Sequence, residues 1–227
     1  MNTWIITGSS KGIGKAIAQK LLNQGDKVIG ISRTKGEIEH ENFTHISFDM
    51  KEIHKLSCLE LEKYSPDGVI FSQGFGIFKN LEEMSIDVIL EMMNVNLISI
   101  AIMSKLLLPV LKKKPKAFMI FLGSEAGLQG KTRSSIYSMT KFGLRGFVQS
   151  IRKECATSNV KVTLIQPGMT RTSFYDDLYF EPKKDDKCAI DPEDIAAIIP
   201  LIASANTGSC FDEIVINPQA HAVQFKN

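Results

Sequence analysis

The 227-residue sequence has little cysteine and no strong excess of charge of either sign. Its four cysteines, Cys58, Cys155, Cys188 and Cys210, form no CxxC pair and have no ligand-like spacing to a histidine. They therefore predict reduced thiols, with no disulfide framework and no metal site. Lys and Arg exceed Asp and Glu by 27 − 25 = 2, so no bulk charge favours a nucleic acid partner or a membrane surface.

Segments that would direct the chain to or through a membrane are also scarce. The first eight residues have no basic segment and run directly into an apolar, strand-like stretch, so no signal peptide is predicted. The longest apolar stretch, residues 97–111, is interrupted by Lys105 and Pro109 and is shorter than a bilayer requires. We expect a cytoplasmic protein with no membrane partner.

Strand-like and helix-like segments alternate along the whole chain. This alternation is typical of a parallel sheet with helices on both faces, and the length fits a single domain over residues 1–227. The predicted strands are residues 3–7, 27–32, 44–48, 67–72, 116–123, 161–166 and 211–216. The predicted helices are residues 13–23, 85–94, 97–113 and 135–156, and one that begins at Pro192. Residues 169–190 lack a clear period.

A glycine-rich segment lies between the first predicted strand and the first predicted helix. It reads Thr-Gly-Ser-Ser-Lys-Gly-Ile-Gly over residues 7–14. Glycines there permit a tight turn and a close backbone approach to a pyrophosphate, while the helix N-terminus supplies free N–H groups. The segment predicts a nucleotide-binding turn, although its GxxxGxG spacing differs from the common GxGxxG.

That spacing resembles the nucleotide-binding turn of the short-chain dehydrogenase/reductase family, and further motifs agree with it. Tyr137 and Lys141 match the family's YxxxK motif, and Ser124 precedes the tyrosine by 137 − 124 = 13 residues, as the catalytic serine does. Asn96 matches the asparagine of the catalytic tetrad. Residues 167–172 resemble the PGxxxT segment beside the nicotinamide, and Asp49 resembles the acid at the adenine. The resemblance covers residues 3 to about 217.

The resemblance implies a three-layer α-β-α Rossmann fold with a seven-stranded, mostly parallel, doubly wound sheet. It implies an NADP(H)-dependent oxidoreductase that acts on a small-molecule carbonyl or alcohol, with Asn96, Ser124, Tyr137 and Lys141 as catalytic residues. The cofactor-binding residues that we predict are Gly8, Ser10, Lys11, Gly12, Ile13, Gly14, Ser32, Arg33, Asp49, Met50, Ser72, Gly74, Tyr137, Lys141, Pro167, Gly168, Thr170 and Thr172. The sequence departs from the family at residues 72–74, which read Ser-Gln-Gly where Asn-Ala-Gly is usual, and at 217–218, where Asn-Pro stands in place of a common Asp-Gly-Gly ending.

The predicted chemistry needs a proton for the carbonyl oxygen and no metal. Tyr137 and Lys141 are one helical turn apart. An ammonium about 4 Å from the phenol would lower its pKa from about 10 by roughly three units, towards working pH. Ser124 would stabilise charge on the substrate oxygen. Asn96 would hold a water that resupplies the proton through Lys141.

The cofactor is expected to be NADP(H) because of two cations and one missing acid. Binding of NAD uses an Asp or Glu at the end of the second strand to bond the ribose hydroxyl. Here Ser32 occupies that place and Arg33 follows it, while Lys11 lies in the glycine turn. Both cations suit a 2′-phosphate.

Two other functions remain open at this point. One is a non-catalytic NADP(H)-binding sensor on the same fold. The other is a sugar-nucleotide epimerase or dehydratase, for which the region after Pro167 leaves little room. The substrate pocket is expected to be apolar and aromatic and to take an uncharged or weakly polar carbonyl compound; its predicted members are Phe75, Ile77, Phe78, Glu125, Leu128, Met169, Phe174, Tyr175 and Tyr179.

Two of the predicted helices, residues 97–113 and 135–156, are too apolar for one buried face. The residues in excess of a single sheet contact are Ile98, Ile102, Leu106, Phe142, Leu144 and Phe147. We therefore expect a homodimer or a homotetramer, since the resembled family pairs these helices across a two-fold axis.

Overall fold

The chain forms nine strands and five α-helices over residues 1–226, which a computed structural model describes. The strands are Thr3–Thr7 (β1), Lys27–Ser32 (β2), Phe43–Ser47 (β3), Gly68–Phe71 (β4), Ala117–Leu122 (β5), Val160–Pro167 (β6), Phe180–Pro182 (β7), Glu213–Ile216 (β8) and Val223–Phe225 (β9). The helices are Gly12–Asn23 (α1), Ile86–Met93 (α2), Ser99–Leu111 (α3), Ser135–Cys155 (α4) and Pro192–Ser204 (α5).

Seven of the strands form one sheet in the order β3-β2-β1-β4-β5-β6-β8, and every pairing in it is parallel. Parallel sheets are buried on both faces, and the central strands are accordingly apolar throughout. Trp4, Ile5 and Ile6 of β1 are all fully buried. The chain thus has the predicted three-layer Rossmann arrangement, and all seven predicted strands are confirmed.

Two hydrophobic clusters cover the two faces of the sheet. On one face, α1 and α5 pack through residues such as Ile17, Leu21 and Ile199. On the other face, α3 and α4 pack through residues such as Met103 and Val148. The strand order reverses between β1 and β4, and a crevice opens there at the carboxyl ends of the strands, which is where ligands bind in such sheets.

The two helices predicted at 85–94 and 97–113 are one continuous helical segment, because a single π turn at Asn94–Ile98 joins α2 to α3. The joined segment, Ile86–Leu111, is 26 residues long with a mean hydropathy of 1.7, so its length and composition alone would allow it to cross a membrane. The expectation of too short a span concerned residues 97–111 alone, and the π turn extends the helical segment beyond them towards the N-terminus. Its Ile100 and Met103 are fully buried against the sheet, so one face belongs to the protein core.

Residues 169–190, for which no period was found, contain β7, which pairs antiparallel with β9 in a separate two-stranded sheet. Neither strand could be predicted from the sequence, because each has three residues and β7 ends in proline. The small sheet lies next to the crevice, because Phe180 of β7 contacts Tyr175 of the cavity lining.

Candidate active site

The glycine-rich turn joins β1 to α1 at the crevice, and its glycines are required by geometry. Gly8 and Gly12 have φ of +69° and +57°, a region that other residues rarely adopt. A Cβ at Gly14 would lie 2.3 Å from the carbonyl oxygen of Gly8, so helix and turn touch backbone to backbone. The turn leaves the first N–H groups of α1 facing the crevice, which suits a pyrophosphate.

A cavity of about 820 Å³ runs along the crevice from this turn to α4. All of the residues predicted to bind cofactor line it: Gly8, Ser10, Lys11, Gly12, Ile13, Gly14, Ser32, Arg33, Asp49, Met50, Ser72, Gly74, Tyr137, Lys141, Pro167, Gly168, Thr170 and Thr172. The size and the glycine cradle fit a dinucleotide. The structure brings these residues together; their roles stay predictions.

Tyr137 and Ser124 meet on the wall of this cavity. Tyr137 lies in the first turns of α4 on its buried face, and Ser124 lines the cavity beside it, where its side chain influences the pKa of the phenol. Ser124 caps a short 3-10 helix at Glu125–Gly127 and accepts a hydrogen bond from Ala126 N at 3.2 Å. Its own hydroxyl position is thereby fixed beside the phenol.

The surroundings of Tyr137 hold its phenol protonated. Burial raises the pKa of Tyr137 to about 12, the hydrogen bond from Ser124 opposes this, and the nearby Glu125 carboxylate adds to it. The rings of Phe78 and Phe174 lie 5.3 Å and 5.9 Å from the Tyr137 ring. The prediction that the pKa of Tyr137 is lowered towards working pH is therefore wrong for the structure, because burial raises that pKa and Lys141 is not among the groups that shift it.

Lys141 lies on the same helical face one turn later and is also buried. Its Nζ is 5.8 Å from the Tyr137 ring centroid and donates a hydrogen bond to the Leu122 carbonyl at 3.1 Å. Burial lowers the pKa of Lys141 to about 8. The lysine is thus mainly protonated at neutral pH, yet close to the range in which it can release a proton.

Asn96 lies in the π turn and is fully buried. Its Nδ2 donates to the carbonyl of Phe75 at 2.8 Å, and its Oδ1 accepts from Phe75 N at 3.0 Å. A Cβ on Gly74 would lie 3.3 Å from Asn96 Oδ1 and 3.8 Å from Lys141 Nζ, so the three residues meet. Asn96 therefore anchors the segment after β4 beside Lys141; its predicted water stays a prediction.

Gln166 is a site residue that was missed from the sequence. It is fully buried at the end of β6, and its Oε1 accepts a hydrogen bond from Ser124 N at 2.8 Å while its Nε2 donates to Glu213 at 3.1 Å. The available signal was a glutamine at the end of an apolar strand, since a buried amide needs partners. Gln166 thus holds the backbone of Ser124 in place.

Residues 2–181 match the short chain dehydrogenase family. The chain belongs to this family. Two relatives illustrate how similar the chain is to known proteins and how much of each is covered. A sepiapterin reductase of Chlorobaculum tepidum is 27% identical, and the match covers 97% of each chain. An oxidoreductase of Botryotinia fuckeliana is 29% identical over 75% of this chain and 66% of its own length.

Solved structures support the same fold. A short chain dehydrogenase family protein of Francisella tularensis superposes with a TM-score of 0.85 at 24% identity, over 96% of this chain and 98% of the other. A serine dehydrogenase complexed with NADP+ gives 0.82 at 20% identity, covering 94% of both chains. A 4-hydroxyisoleucine dehydrogenase complexed with NADH gives 0.80 at 23% identity, covering 96% and 97%.

Both departures from the family pattern are accommodated in this short chain dehydrogenase. Gln73 accepts a hydrogen bond from the Thr7 hydroxyl and donates to Ser99 Oγ at 3.2 Å, so it links β1 to α3 and braces the end of β4. Asn217 and Pro218 pack against Gly168, where a Cβ would lie 2.9 Å from each of them. The Asn-Pro pair is thus an internal contact of the cavity wall.

The substrate side of the cavity is only partly as predicted. Of the expected pocket residues, Phe75, Phe174 and Tyr175 line it. Ile77, Phe78, Glu125, Leu128, Met169 and Tyr179 are not part of the lining. Phe78 instead covers Tyr137, Glu125 forms a 2.5 Å ion pair with Lys131, and Tyr179 is 41% exposed. Which of these side chains face the cavity could not be predicted from the sequence, because they come from segments without a regular hydrophobic period.

The opposite end of the cavity carries Lys11, Ser32 and Arg33. Ser32 is buried and donates a hydrogen bond to the Thr34 carbonyl at 2.8 Å. Within residues 1–226, neither Lys11 nor Arg33 is paired with a carboxylate, whereas Lys15 pairs with Glu37 at 2.6 Å. Two exposed cations on the cavity lining are therefore available to a ligand.

As for metals, the described residues include no cluster of three His, Cys, Asp or Glu side chains.

Proposed function

We propose that this short chain dehydrogenase is an NADP(H)-dependent oxidoreductase that interconverts a small-molecule carbonyl and the corresponding alcohol. The observation that carries the proposal is that Ser124, Tyr137 and Lys141 all line one dinucleotide-sized cavity, with Lys141 Nζ 5.8 Å from the Tyr137 ring centroid. When bound, the nicotinamide supplies or accepts the hydride. The residues of the chain then have to orient the carbonyl and provide the proton.

Tyr137 is the proposed proton donor. Its raised pKa keeps the phenol neutral at physiological pH, which is the form that can protonate a carbonyl oxygen. Ser124 is placed to donate a hydrogen bond to the same oxygen as negative charge develops there. Lys141, whose pKa burial lowers to about 8, is placed to resupply the proton. This arrangement favours the reductive direction, which also fits a relative named as a reductase.

The proposed choice of NADP(H) rests on this chain's own residues. Neighbours of the same fold are complexed with NADP+ in one case and with NADH in another, so the fold does not decide. Arg33 and Lys11 offer two charges at the ribose end, and Ser32 replaces the carboxylate that would repel a phosphate.

The proposed substrate is an uncharged carbonyl compound. Phe75, Phe174 and Tyr175 form the substrate side of the lining, and Glu125, the acid nearest Ser124, is neutralised by Lys131. A panel of aldehydes, ketones, quinones and hydroxy acids, followed by NADPH absorbance, tests this. We expect turnover with neutral carbonyls; turnover confined to strongly anionic substrates would contradict the pocket assignment.

A non-catalytic NADP(H) sensor is the alternative, and one observation favours it: Tyr137 is only 8% exposed beneath the Phe78 and Phe174 rings. Tight NADPH binding without turnover of any carbonyl in the panel would support the sensor instead of the enzyme.

We also propose a homodimer or a homotetramer built on α3 and α4. Leu106, Met139 and Phe142 are 37%, 46% and 44% exposed on these helices, whereas Leu144, which was expected to contribute, is fully buried in the core. Light scattering is expected to give at least twice 25.2 kDa. Phe142→Glu should weaken the assembly, while Leu201→Glu on α5 should leave at least a dimer. A wild-type monomer at micromolar concentration would refute the assembly.

A single domain and a cytoplasmic location stay predictions.

A further inference from the structure

The active-site tyrosine lies under an aromatic cover, which we define as Phe78, Phe174, Tyr175 and Phe180. Phe78 contacts both Tyr137 and Phe174, with ring centroids 5.3 Å and 6.3 Å away. Phe180 lies 5.2 Å from Phe78 and 5.9 Å from Tyr175. The rings are tilted or edge-on, the arrangement in which aromatic side chains attract each other. Any substrate that reaches Tyr137 must therefore fit against this cover.

Three of the four rings belong to residues 173–180, a stretch with little regular structure of its own. Its only helical turn in the described chain is a 3-10 helix at Ser173–Tyr175, followed by β7. Short segments of this kind are usually the least stable part of a protein. Something else has to hold the stretch in place.

Residues 220–226, which we call the β9 strap, provide those contacts. The strap pairs with β7 through Phe180 and Phe225, and Lys226 N donates to the Tyr179 carbonyl at 2.9 Å. The Phe225 ring stacks parallel to the Tyr179 ring with 6.1 Å between centroids. Gln224 Nε2 adds a hydrogen bond to Glu181 at 2.6 Å. The strap is thus tied along the whole length of β7.

Lys226 is the strap's contact with the cover itself. Its ammonium donates hydrogen bonds to the carbonyl oxygens of Tyr175 and Asp176, the latter at 3.0 Å. These carbonyls end the 3-10 helix that carries Phe174 and Tyr175, and a lysine at a helix C-terminus both satisfies the free carbonyls and offsets their partial negative charge. The side chain of Lys226 is 31% exposed, so most of it is held against the protein.

We infer that Lys226, through the β9 strap, is a positioning residue of the substrate site: it holds Phe174 and Tyr175 over Tyr137 and thereby sets substrate affinity. The inference rests on the proposed function for its effect on turnover. The shielding of Tyr137 can be measured without any substrate.

The test compares Lys226→Met with Lys184→Met, an exposed lysine of the same region, and with Lys226→Arg, which keeps donors at this position. Nitration of Tyr137 and Tyr175 by tetranitromethane, located by mass spectrometry with Tyr64 as internal reference, reports on the cover. In Lys226→Met both tyrosines should be nitrated on the order of tenfold faster, because charge-assisted hydrogen bonds are lost. Lys184→Met should behave as wild type, and Lys226→Arg should restore most of the protection.

The kinetic arm uses the best substrate of the carbonyl panel. Lys226→Met should raise KM on the order of tenfold, with kcat and the Kd for NADPH little changed, since neither the proton donor nor the glycine turn is altered. Nitration or KM equal to that of Lys184→Met would overturn the inference, and so would a change in NADPH affinity as large as that in KM. If no carbonyl is turned over, the proposed function fails and the nitration rates alone decide the role of Lys226.

Discussion

Replacing Tyr137 by phenylalanine is expected to lower kcat by about 10² to 10⁴, the usual loss when general acid–base help is removed. The variant lacks the hydroxyl that we assign as the proton donor on the cavity wall beside Ser124. The ring remains, so its contacts with Phe78 and Phe174 are kept. Stability and the Kd for NADPH should therefore stay close to wild type.

The matched control for this variant is Tyr179→Phe. Tyr179 lies in the same segment as Phe174 but is 41% exposed and stacks on Phe225. It is not part of the cavity lining. The kcat of Tyr179→Phe should be unchanged.

Lys141→Ala should lower both turnover and NADPH affinity, because Lys141 lines the cavity beside Tyr137. Retention of more than about a tenth of wild-type kcat by Tyr137→Phe would show that the proton donor is assigned wrongly.

A preference for NADPH over NADH on the order of 10² or more is the second large effect that we expect, since each charge-assisted contact contributes about 1.5–3 kcal/mol and two cations are available. The double variant Ser32→Asp with Arg33→Ala should reverse the preference. It removes one attraction and adds a carboxylate where the 2′-phosphate would lie, so it acts against NADPH twice. Dissociation constants from fluorescence titration with both cofactors measure the effect.

Lys35→Ala is the control for the cofactor experiment. Lys35 is exposed two residues after Arg33, but it does not line the cavity. Loss of the Lys35 side chain should leave the preference for NADPH over NADH unchanged. If positive charge in this region acted only in a general way, Lys35→Ala would lower that preference. Equal or tighter binding of NADH by the wild-type protein would refute the choice of NADP(H).

The sheet and the cofactor side could be predicted because their signals are local. Buried parallel strands such as β1 and β5 are continuous apolar runs, and the turn at Gly8–Gly14 must contain glycine for steric reasons that a short motif records. The residues around the cofactor follow the ends of successive strands, so a correct strand order places them at one edge. This is why every predicted cofactor residue lies on the cavity.

The substrate side could not be predicted because its signals are distant in sequence. β7 pairs with β9 more than forty residues later, and neither strand has enough residues to show alternation. The pKa of Tyr137 depends on burial by Phe78 and Phe174, which come from two other segments. Spacing along α4 predicted that Lys141 lies near Tyr137, but it could not predict that burial would raise the pKa of the phenol.

The central claim is that the chain moves hydride between a nicotinamide and a carbonyl carbon, with Tyr137 supplying the proton. Single turnover of the best panel substrate with NADPH that carries deuterium at both C4 positions, analysed by mass spectrometry, tests it most directly. We expect an alcohol product heavier by one deuterium on the former carbonyl carbon, formed by the wild type and almost absent with Tyr137→Phe. An unlabelled product, or equal labelling by the two proteins, would contradict it.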